Sequence, residues 1–216
     1  MSNTLKATRL DFSLVKPYTK VICFTMLLPI AFAAINRSLL NGISFAMCFI
    51  AMTTGYTFSI TEKNSMERLL GILPVRKSEL VIGRYIFVLA LGAMALMVSL
   101  ITQPLVLRAM GEKVGASDVI IATISGSFLF ALYTVFQIPG YYKYGSIKGR
   151  VFMYIPVVGF LVTLLLISKI PSFGASIIAS VGSSPALLIT LVIALIIVMY
   201  AVSILVSIRI MKNKEI

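Results

Sequence analysis

The chain has 216 residues, of which 59% are hydrophobic and 12% are charged, and its formal net charge is +12. Typical globular proteins contain about 45–50% apolar and roughly 25% charged residues, and they need polar residues to cover their surface. Together with a mean hydropathy of +1.04, this composition excludes a soluble enzyme, a nucleic-acid-binding domain and a disordered tail. It predicts a protein that is embedded in a lipid bilayer.

The first predicted element is a short amphipathic helix over residues 3–16. Ala7, Leu10 and Leu14 recur at intervals of three and four residues, and Val15 widens the apolar stripe. The neighbouring polar residues are mostly charged, so the pattern predicts a helix that lies in the membrane interface before the first span. Membrane anchoring alone would account for such a helix.

Six apolar stretches follow, each close to the 20 residues that a spanning helix requires. They cover residues 17–35, 42–61, 86–107, 119–138, 151–168 and 185–208. No loop between them reaches the roughly 50 residues of a small independent domain. We therefore predict an all-α, polytopic membrane protein with six transmembrane helices, built as a single domain over residues 1–216.

The distribution of positive charge predicts the orientation. Fifteen of the 19 Lys and Arg residues lie at the two termini and around the loops that follow spans two and four. By the positive-inside rule, both termini face the cytoplasm, so the net charge requires no nucleic-acid partner. The sequence Ala31-Phe32-Ala33 resembles a signal-peptide cleavage site, but the polar segment before the first span is long for a signal peptide.

The chain lacks the residues that several kinds of functional site require. Residues 145–150 contain two Gly and a Lys but not the spacing of a phosphate-binding loop. The absence of His and the presence of only two Cys argue against a zinc, haem or iron–sulfur site. No charged residue lies in the middle of a predicted span, whereas ion-driven transporters usually need such groups. Uphill transport would therefore take its energy from a partner.

The polar residues within the spans are neutral. Hydrogen bonding between helices would explain them, and a substrate path is the alternative. The candidates for that path are Thr53, Tyr56, Gln103, Tyr133 and Gln137.

The segment 62–80 is longer than a connection between two spans requires, and its apolar residues recur with a helical period. Met66, Leu69, Leu70 and Leu73 follow the i, i+3, i+4, i+7 spacing of an amphipathic helix. Pro74 disfavours helical geometry at the residue before it, and a new helix is predicted to begin near Ser78, whose hydroxyl can cap it. An exposed apolar face on such a long segment favours docking to a partner protein, and a loop lying on the membrane surface is the alternative.

This segment carries a resemblance to a known family. Glu62 after span two, the run Leu-Leu-Gly-Ile-Leu-Pro-Val-Arg-Lys over residues 69–77, and Gly83-Arg84-Tyr85 at span three resemble the permeases of type-2 ABC exporters. The chain is most similar to the small six-span subfamily that includes the phenol-soluble-modulin export permeases of Gram-positive bacteria. Leu10-Asp11 is similar to the opening segment of that family.

The resemblance implies that this chain forms the membrane subunit and that a separate subunit binds ATP. The segment between spans two and three would be a coupling helix that inserts into a separate ATPase subunit, and residues 3–16 would be the connecting helix. The implied ATPase contacts and the elbow that follows them are Glu62, Met66, Glu67, Arg68, Leu69, Leu70, Leu73, Pro74, Val75 and Arg76. This chain would be no enzyme and would hold no cofactor, because ATP and magnesium would bind to the partner.

The resemblance also implies the assembly and the cargo. Two copies, or one copy and a similar permease, would enclose a path in the bacterial plasma membrane for amphipathic or hydrophobic cargo such as small membrane-active or antimicrobial peptides. The loop 141–150 would make a second, smaller contact with the ATPase. Residues 172–184 would form a re-entrant outer segment, and an exposed apolar loop is the alternative there.

Two other functions remain open at this point. The first is the six-span substrate-capturing component of an energy-coupling-factor importer, which docks through small-residue faces. Span one contains Ala31, Ala33 and Ala34 but no clear four-residue Ala repeat. The second is a membrane scaffold with no role in transport.

Overall fold

The computed structural model describes residues 3–64, 76–159, 162 and 185–213, and in these ranges the chain is helical without strands. Seven α-helices and two 3₁₀ turns, Lys16–Tyr18 and Gly149–Met153, make up most of this part. The α-helices are α1 Asn3–Val15, α2 Thr19–Asn36, α3 Leu39–Thr53, α4 Gly55–Lys63, α5 Lys77–Ala109, α6 Ala116–Lys148 and α7 Pro185–Asn213. Residues 154–159 continue as a helix after the second turn.

Four stretches of the described chain are long and apolar enough to cross a membrane. They are Leu39–Lys63, Lys77–Ala109, Ala116–Gly159 and Ile189–Asn213, and a shorter apolar helix covers Leu27–Asn36. The all-helical membrane architecture is therefore confirmed. The count of six spans stays a prediction, because residues 160–161 and 163–168 of the predicted fifth span lie outside the described residues. The orientation also stays a prediction.

The predicted helix before span three is present, but its start differs from the expectation. Helix α5 begins at Lys77 and continues through Arg84 to Ala109 as one helix of 33 residues. At its start the Glu79 carboxylate accepts a hydrogen bond of 3.2 Å from the backbone N–H of Arg76. The predicted cap by the Ser78 hydroxyl is wrong, because the helix begins before Ser78 and the side chain of Glu79 reaches back over its first turn.

Small residues let the helices approach closely. Gly42 on α3 lies against Ala33 on α2, and a Cβ added to Gly126 on α6 would lie 2.9 Å from Ile43 on α3. Because lipid tails give no hydrophobic drive for helices to associate, such close packing and interhelical hydrogen bonds hold a membrane bundle together. Helix α3 thus lies between α2 and α6.

Hydroxyl groups join α7 to the rest of the bundle. The Tyr85 hydroxyl on α5 lies 2.6 Å from the Ser203 hydroxyl and 2.9 Å from that of Ser207. On α6 the hydroxyl of Thr134 lies 2.7 Å from that of Tyr200. These contacts fix α7 against both α5 and α6 in an apolar surrounding.

Candidate functional site

Five helices converge at one end of the bundle, which we call the basic end. It contains α1, the ends of α4, α6 and α7, and the start of α5. These elements surround a cavity of about 50 Å³. Its lining residues include Ala7, Asp11, Phe58, Thr61, Glu62, Arg84, Tyr142, Gly145, Ser146 and Met211. The cavity therefore lies where the amphipathic N-terminal helix meets both ends of the segment predicted to dock a partner.

A buried ion pair joins α1 to α5. The Arg84 guanidinium donates from Nε to Asp11 Oδ2 at 3.0 Å and from one terminal nitrogen to Asp11 Oδ1 at 2.7 Å. Only 8% of the Arg84 side chain and 4% of the Asp11 side chain are exposed. Such a two-pronged contact fixes direction as well as distance, because the planar guanidinium matches the carboxylate.

The same guanidinium reaches α4. It donates a hydrogen bond of 3.3 Å to the Thr61 hydroxyl and lies 4.6 Å from the centre of the Phe58 ring. A cation over an aromatic face is attracted by the electron density of the ring. Arg84 therefore connects α1, α4 and α5 through one charged group.

Helix α1 also packs directly on the backbone of α5. A Cβ added to Gly83 would lie 2.8 Å from the Cβ of Ala7 and 3.1 Å from the carbonyl oxygen of Thr4. The Thr8 hydroxyl donates a hydrogen bond of 3.1 Å to the carbonyl of Gly83. The contact requires Gly at position 83, since any side chain would force the two helices apart.

The predicted amphipathic helix is confirmed as a helix, but its buried face includes polar residues. Ala7 and Val15 from the predicted apolar stripe are buried, together with Thr8 and Asp11. Asp11 was predicted to be a polar neighbour of the stripe. The structure buries it because Arg84 supplies the matching charge, so an ion pair attaches α1 to the rest of the bundle.

A second connection joins α4 to α6. The Glu62 carboxylate accepts a hydrogen bond of 2.7 Å from the backbone N–H of Ser146. This N–H follows Gly145, whose φ of 77° and ψ of −179° interrupt the helical geometry of α6. Residues with a side chain rarely adopt that backbone conformation. The Gly145 break thus turns the N–H of Ser146 toward Glu62.

The predicted ATPase contacts are only partly within the described residues. Glu62 and Arg76 lie at the two edges of the docking segment, Glu62 in α4 and Arg76 directly before α5. The residues outside the described ranges are Met66, Glu67, Arg68, Leu69, Leu70, Leu73, Pro74 and Val75. The possible re-entrant segment 172–184 also lies outside them.

The predicted substrate-path residues do not share one cavity. Thr53 and Tyr56 line a groove beside Arg150 and Met153. Gln103, Tyr133 and Gln137 are buried in the bundle.

The two buried glutamines differ in their hydrogen bonding. Gln137 donates from Nε2 to the Tyr141 hydroxyl at 2.7 Å and accepts from the Thr54 hydroxyl at 3.4 Å. Within the described residues, neither amide atom of Gln103 has a hydrogen-bond partner. Hydrogen bonding between residues of the bundle therefore explains Gln137 and does not explain Gln103.

The buried ion pair of Asp11 and Arg84 could not be predicted from the sequence, because each residue depends on a partner 73 positions away. One signal was available: the chain has only seven Asp and Glu residues, and Asp11 lies within a predicted amphipathic helix. A rare acid beside an apolar stripe and an Arg near a membrane span each need an opposite charge when they are buried.

The apolar helices define the class of this protein, and a comparison with known proteins shows its family. A bundle of long apolar helices with charged residues at its two ends is an integral membrane protein. A family model described as ABC-2 family transporter protein matches residues 9–212, and the chain belongs to this family. No curated protein and no solved structure gives a significant match.

Family membership favours one of the alternative functions. It makes the chain a membrane component of an ABC transporter, a class that works with an ABC ATPase and is generally non-catalytic itself. This favours the permease over the energy-coupling-factor component and over a scaffold. The similarity to phenol-soluble-modulin permeases remains a prediction.

Proposed function

We propose that this protein is the permease subunit of an ATP-driven exporter, with its basic end and both termini in the cytoplasm. Two copies would form a path for amphipathic or hydrophobic peptides, and a separate ATPase would grip the segment between α4 and α5. The observation that carries the proposal, beside the family, is the anchoring of both edges of that segment. Glu62 is bonded to Ser146 before it, and Arg84 is bonded to Asp11 after it.

The geometry gives the proposed motion a direct route into the membrane. Helix α5 has 33 residues, which corresponds to a length of about 50 Å at the rise of an α-helix. A displacement at its first turn is carried through a continuous helix, and the ion pair of Arg84 and Asp11 makes α1 move with it. Coupling then depends on contacts that differ between the ATP-bound and ATP-free states of the ATPase.

The distribution of buried charge supports an energy source outside this chain. Among the buried polar side chains of the described residues, only Asp11 and Arg84 carry a formal charge, and both lie at the basic end. Transporters driven by ions usually hold ionisable groups within the membrane. The described spans offer neutral polar groups instead, which suit hydrophobic or amphipathic cargo.

The test is retention of an ABC ATPase by the tagged protein, isolated from its host membranes in mild detergent. The triple variant Met66→Asp, Leu69→Asp and Leu70→Asp should lose the ATPase activity that copurifies with the wild type. Its amount in the membrane should not change. Leu5→Asp provides a control, because Leu5 is an exposed apolar residue of α1 at the same end. Equal ATPase retention by wild type and triple variant, or no ATPase with the wild type, would overturn the proposal.

A further inference from the structure

An open groove runs between α6, α7 and the 3₁₀ turn Gly149–Met153, and nothing in the proposed function uses it. Its volume is about 770 Å³, within the roughly 300–1,000 Å³ that is typical of small-molecule sites. Its lining residues are Val135, Phe136, Pro139, Gly140, Tyr142, Lys143, Tyr144, Phe152, Val202, Ser203, Val206, Arg209, Ile210 and Asn213.

The lining of the groove separates into an apolar length and a cationic end. Phe136 on α6 faces the groove together with Val202 and Val206 on α7. Lys143 and Arg209 follow on the same two helices, closer to the basic end. No Asp or Glu is among the described lining residues, so the charge of the groove is positive.

The two cations lack an anionic partner in the part of the chain that the structure describes. The ion pairs found there are Arg37 with Glu112 and Arg84 with Asp11. Cations near a helix C-terminus also interact favourably with the helix dipole. Lys143 lies two residues before the break in α6 at Gly145, so the dipole favours a cation there, whereas Arg209 lies farther from the end of α7 than Lys212 does and is not explained in this way.

The groove is accessible from the side. Phe136, Val202 and Val206 are 38%, 54% and 43% exposed, although they lie in helices that are apolar enough to cross a membrane. These exposed apolar side chains leave the groove open along the side of the bundle, so a molecule dissolved in the surrounding bilayer would reach it by lateral diffusion.

We propose that the groove binds an anionic phospholipid from the leaflet at the basic end. An acyl chain would lie along Phe136, Val202 and Val206, and the phosphate would contact Lys143 and Arg209. Basic pockets between transmembrane helices are known to bind anionic headgroups. A helical peptide is about 10–12 Å wide, and the volume of the groove would hold only about two turns of it. This inference does not depend on the direction of transport.

The first experiment measures retention of phosphatidylglycerol. The purified protein is reconstituted in nanodiscs of phosphatidylglycerol and phosphatidylcholine, and the lipid that remains bound after mild delipidation is measured by native mass spectrometry. The double variant Lys143→Gln and Arg209→Gln should bind phosphatidylglycerol about 30-fold more weakly, since each cation contributes about a five-fold effect at a membrane surface. Lys148→Gln and Lys212→Gln remove the same charge from outside the groove and should change binding far less. Equal effects of both double variants would overturn the proposal.

A second pair of variants tests the apolar part of the groove. Val206→Trp should fill the groove and displace the lipid, whereas Leu205→Trp changes a neighbour that is 66% exposed and does not line it. Unchanged lipid binding in Val206→Trp would contradict the proposal. If Val206→Trp left phosphatidylglycerol binding unchanged but weakened binding of an added amphipathic peptide, the groove would be a peptide site and the proposal would be wrong.

Discussion

Replacing Asp11 with Asn should release α1 from α5. The substitution keeps the size of the side chain but removes the charge that pairs with Arg84. In the wild type the two groups share hydrogen bonds of 3.0 Å and 2.7 Å in a nearly inaccessible position. The variant keeps the contacts of the guanidinium with the Thr61 hydroxyl and the Phe58 ring, but it loses the carboxylate charge that two guanidinium nitrogens contact. The attachment of α1 should therefore weaken strongly.

The expected size of the effect follows from the burial of the pair. Removing one partner of a buried ion pair costs about 3–5 kcal/mol, because the other charge is left uncompensated. Asn keeps one acceptor oxygen, which places Asp11→Asn near 3 kcal/mol. Since each 1.4 kcal/mol is about a factor of ten, α1 should open about 100-fold more often.

Hydrogen–deuterium exchange of residues 4–15 in nanodiscs measures this opening directly. Asp11→Asn should increase the exchange rate of these amides about 100-fold. Arg9→Gln removes an exposed charge from the same helix and should leave the rate unchanged. The double variant Asp11→Leu and Arg84→Met should return close to the wild-type rate, since apolar replacement of both partners is often neutral.

Two results would refute this reasoning. If Asp11→Asn exchanges at the wild-type rate, the membrane interface alone holds α1 and the ion pair contributes nothing to its position. If the double variant exchanges as fast as Asp11→Asn, an uncompensated Arg84 charge is not the cause of the faster exchange, because removing that charge as well does not restore the wild-type rate.

Three further substitutions test other contacts of the bundle. Gly83→Ala should speed exchange in α1 about ten-fold by inserting a methyl group 2.8 Å from its neighbour, whereas Gly159→Ala enters open space and should have no effect. Gly145→Ala should speed exchange over residues 146–153, because its φ of 77° costs a residue with a side chain about 1–3 kcal/mol. Gln103→Met should raise the free energy of unfolding and Gln137→Met should lower it, each by about 1–3 kcal/mol, because of the two residues only Gln137 has bonded amide atoms. The thermal midpoint in detergent should rise for Gln103→Met and fall for Gln137→Met. Shifts of the same sign in the two Gln variants would contradict this last prediction.

The four spans found among the described residues were predictable because the signal for each is local. A stretch of about 20 apolar residues must cross the bilayer as a helix, since its backbone groups have no water to bond with. The N-terminal helix was predictable for a related reason, as its periodicity is complete within residues 3–16. The start of α5 was predicted within one residue, although its cap was wrong because the helix begins before Ser78 and the Glu79 carboxylate accepts the bond from the Arg76 N–H.

The site was less predictable because its contacts join distant positions. The sequence predicted a docking segment, which stays a prediction, and it gave no reason to connect Glu62 with Ser146, which are 84 positions apart. The break at Gly145 that exposes this N–H is one glycine among 14. The substrate-path residues were chosen by polarity alone, and polarity does not indicate whether a side chain faces another helix, as Gln137 does, or a groove, as Tyr56 does.

The sequence by itself determined that the protein lies in a membrane, that it is helical, and that its positive charge is concentrated at one end. These properties depend on composition and short-range periodicity, which can be read from each segment of the chain without knowledge of the residues it contacts. Only the tertiary structure decided that Arg84 bonds to Asp11, that Glu62 bonds to Ser146, and that α6 and α7 leave a cationic groove between them. The physical reason is that a buried charge or an open groove arises from the packing of helices that are far apart in the chain.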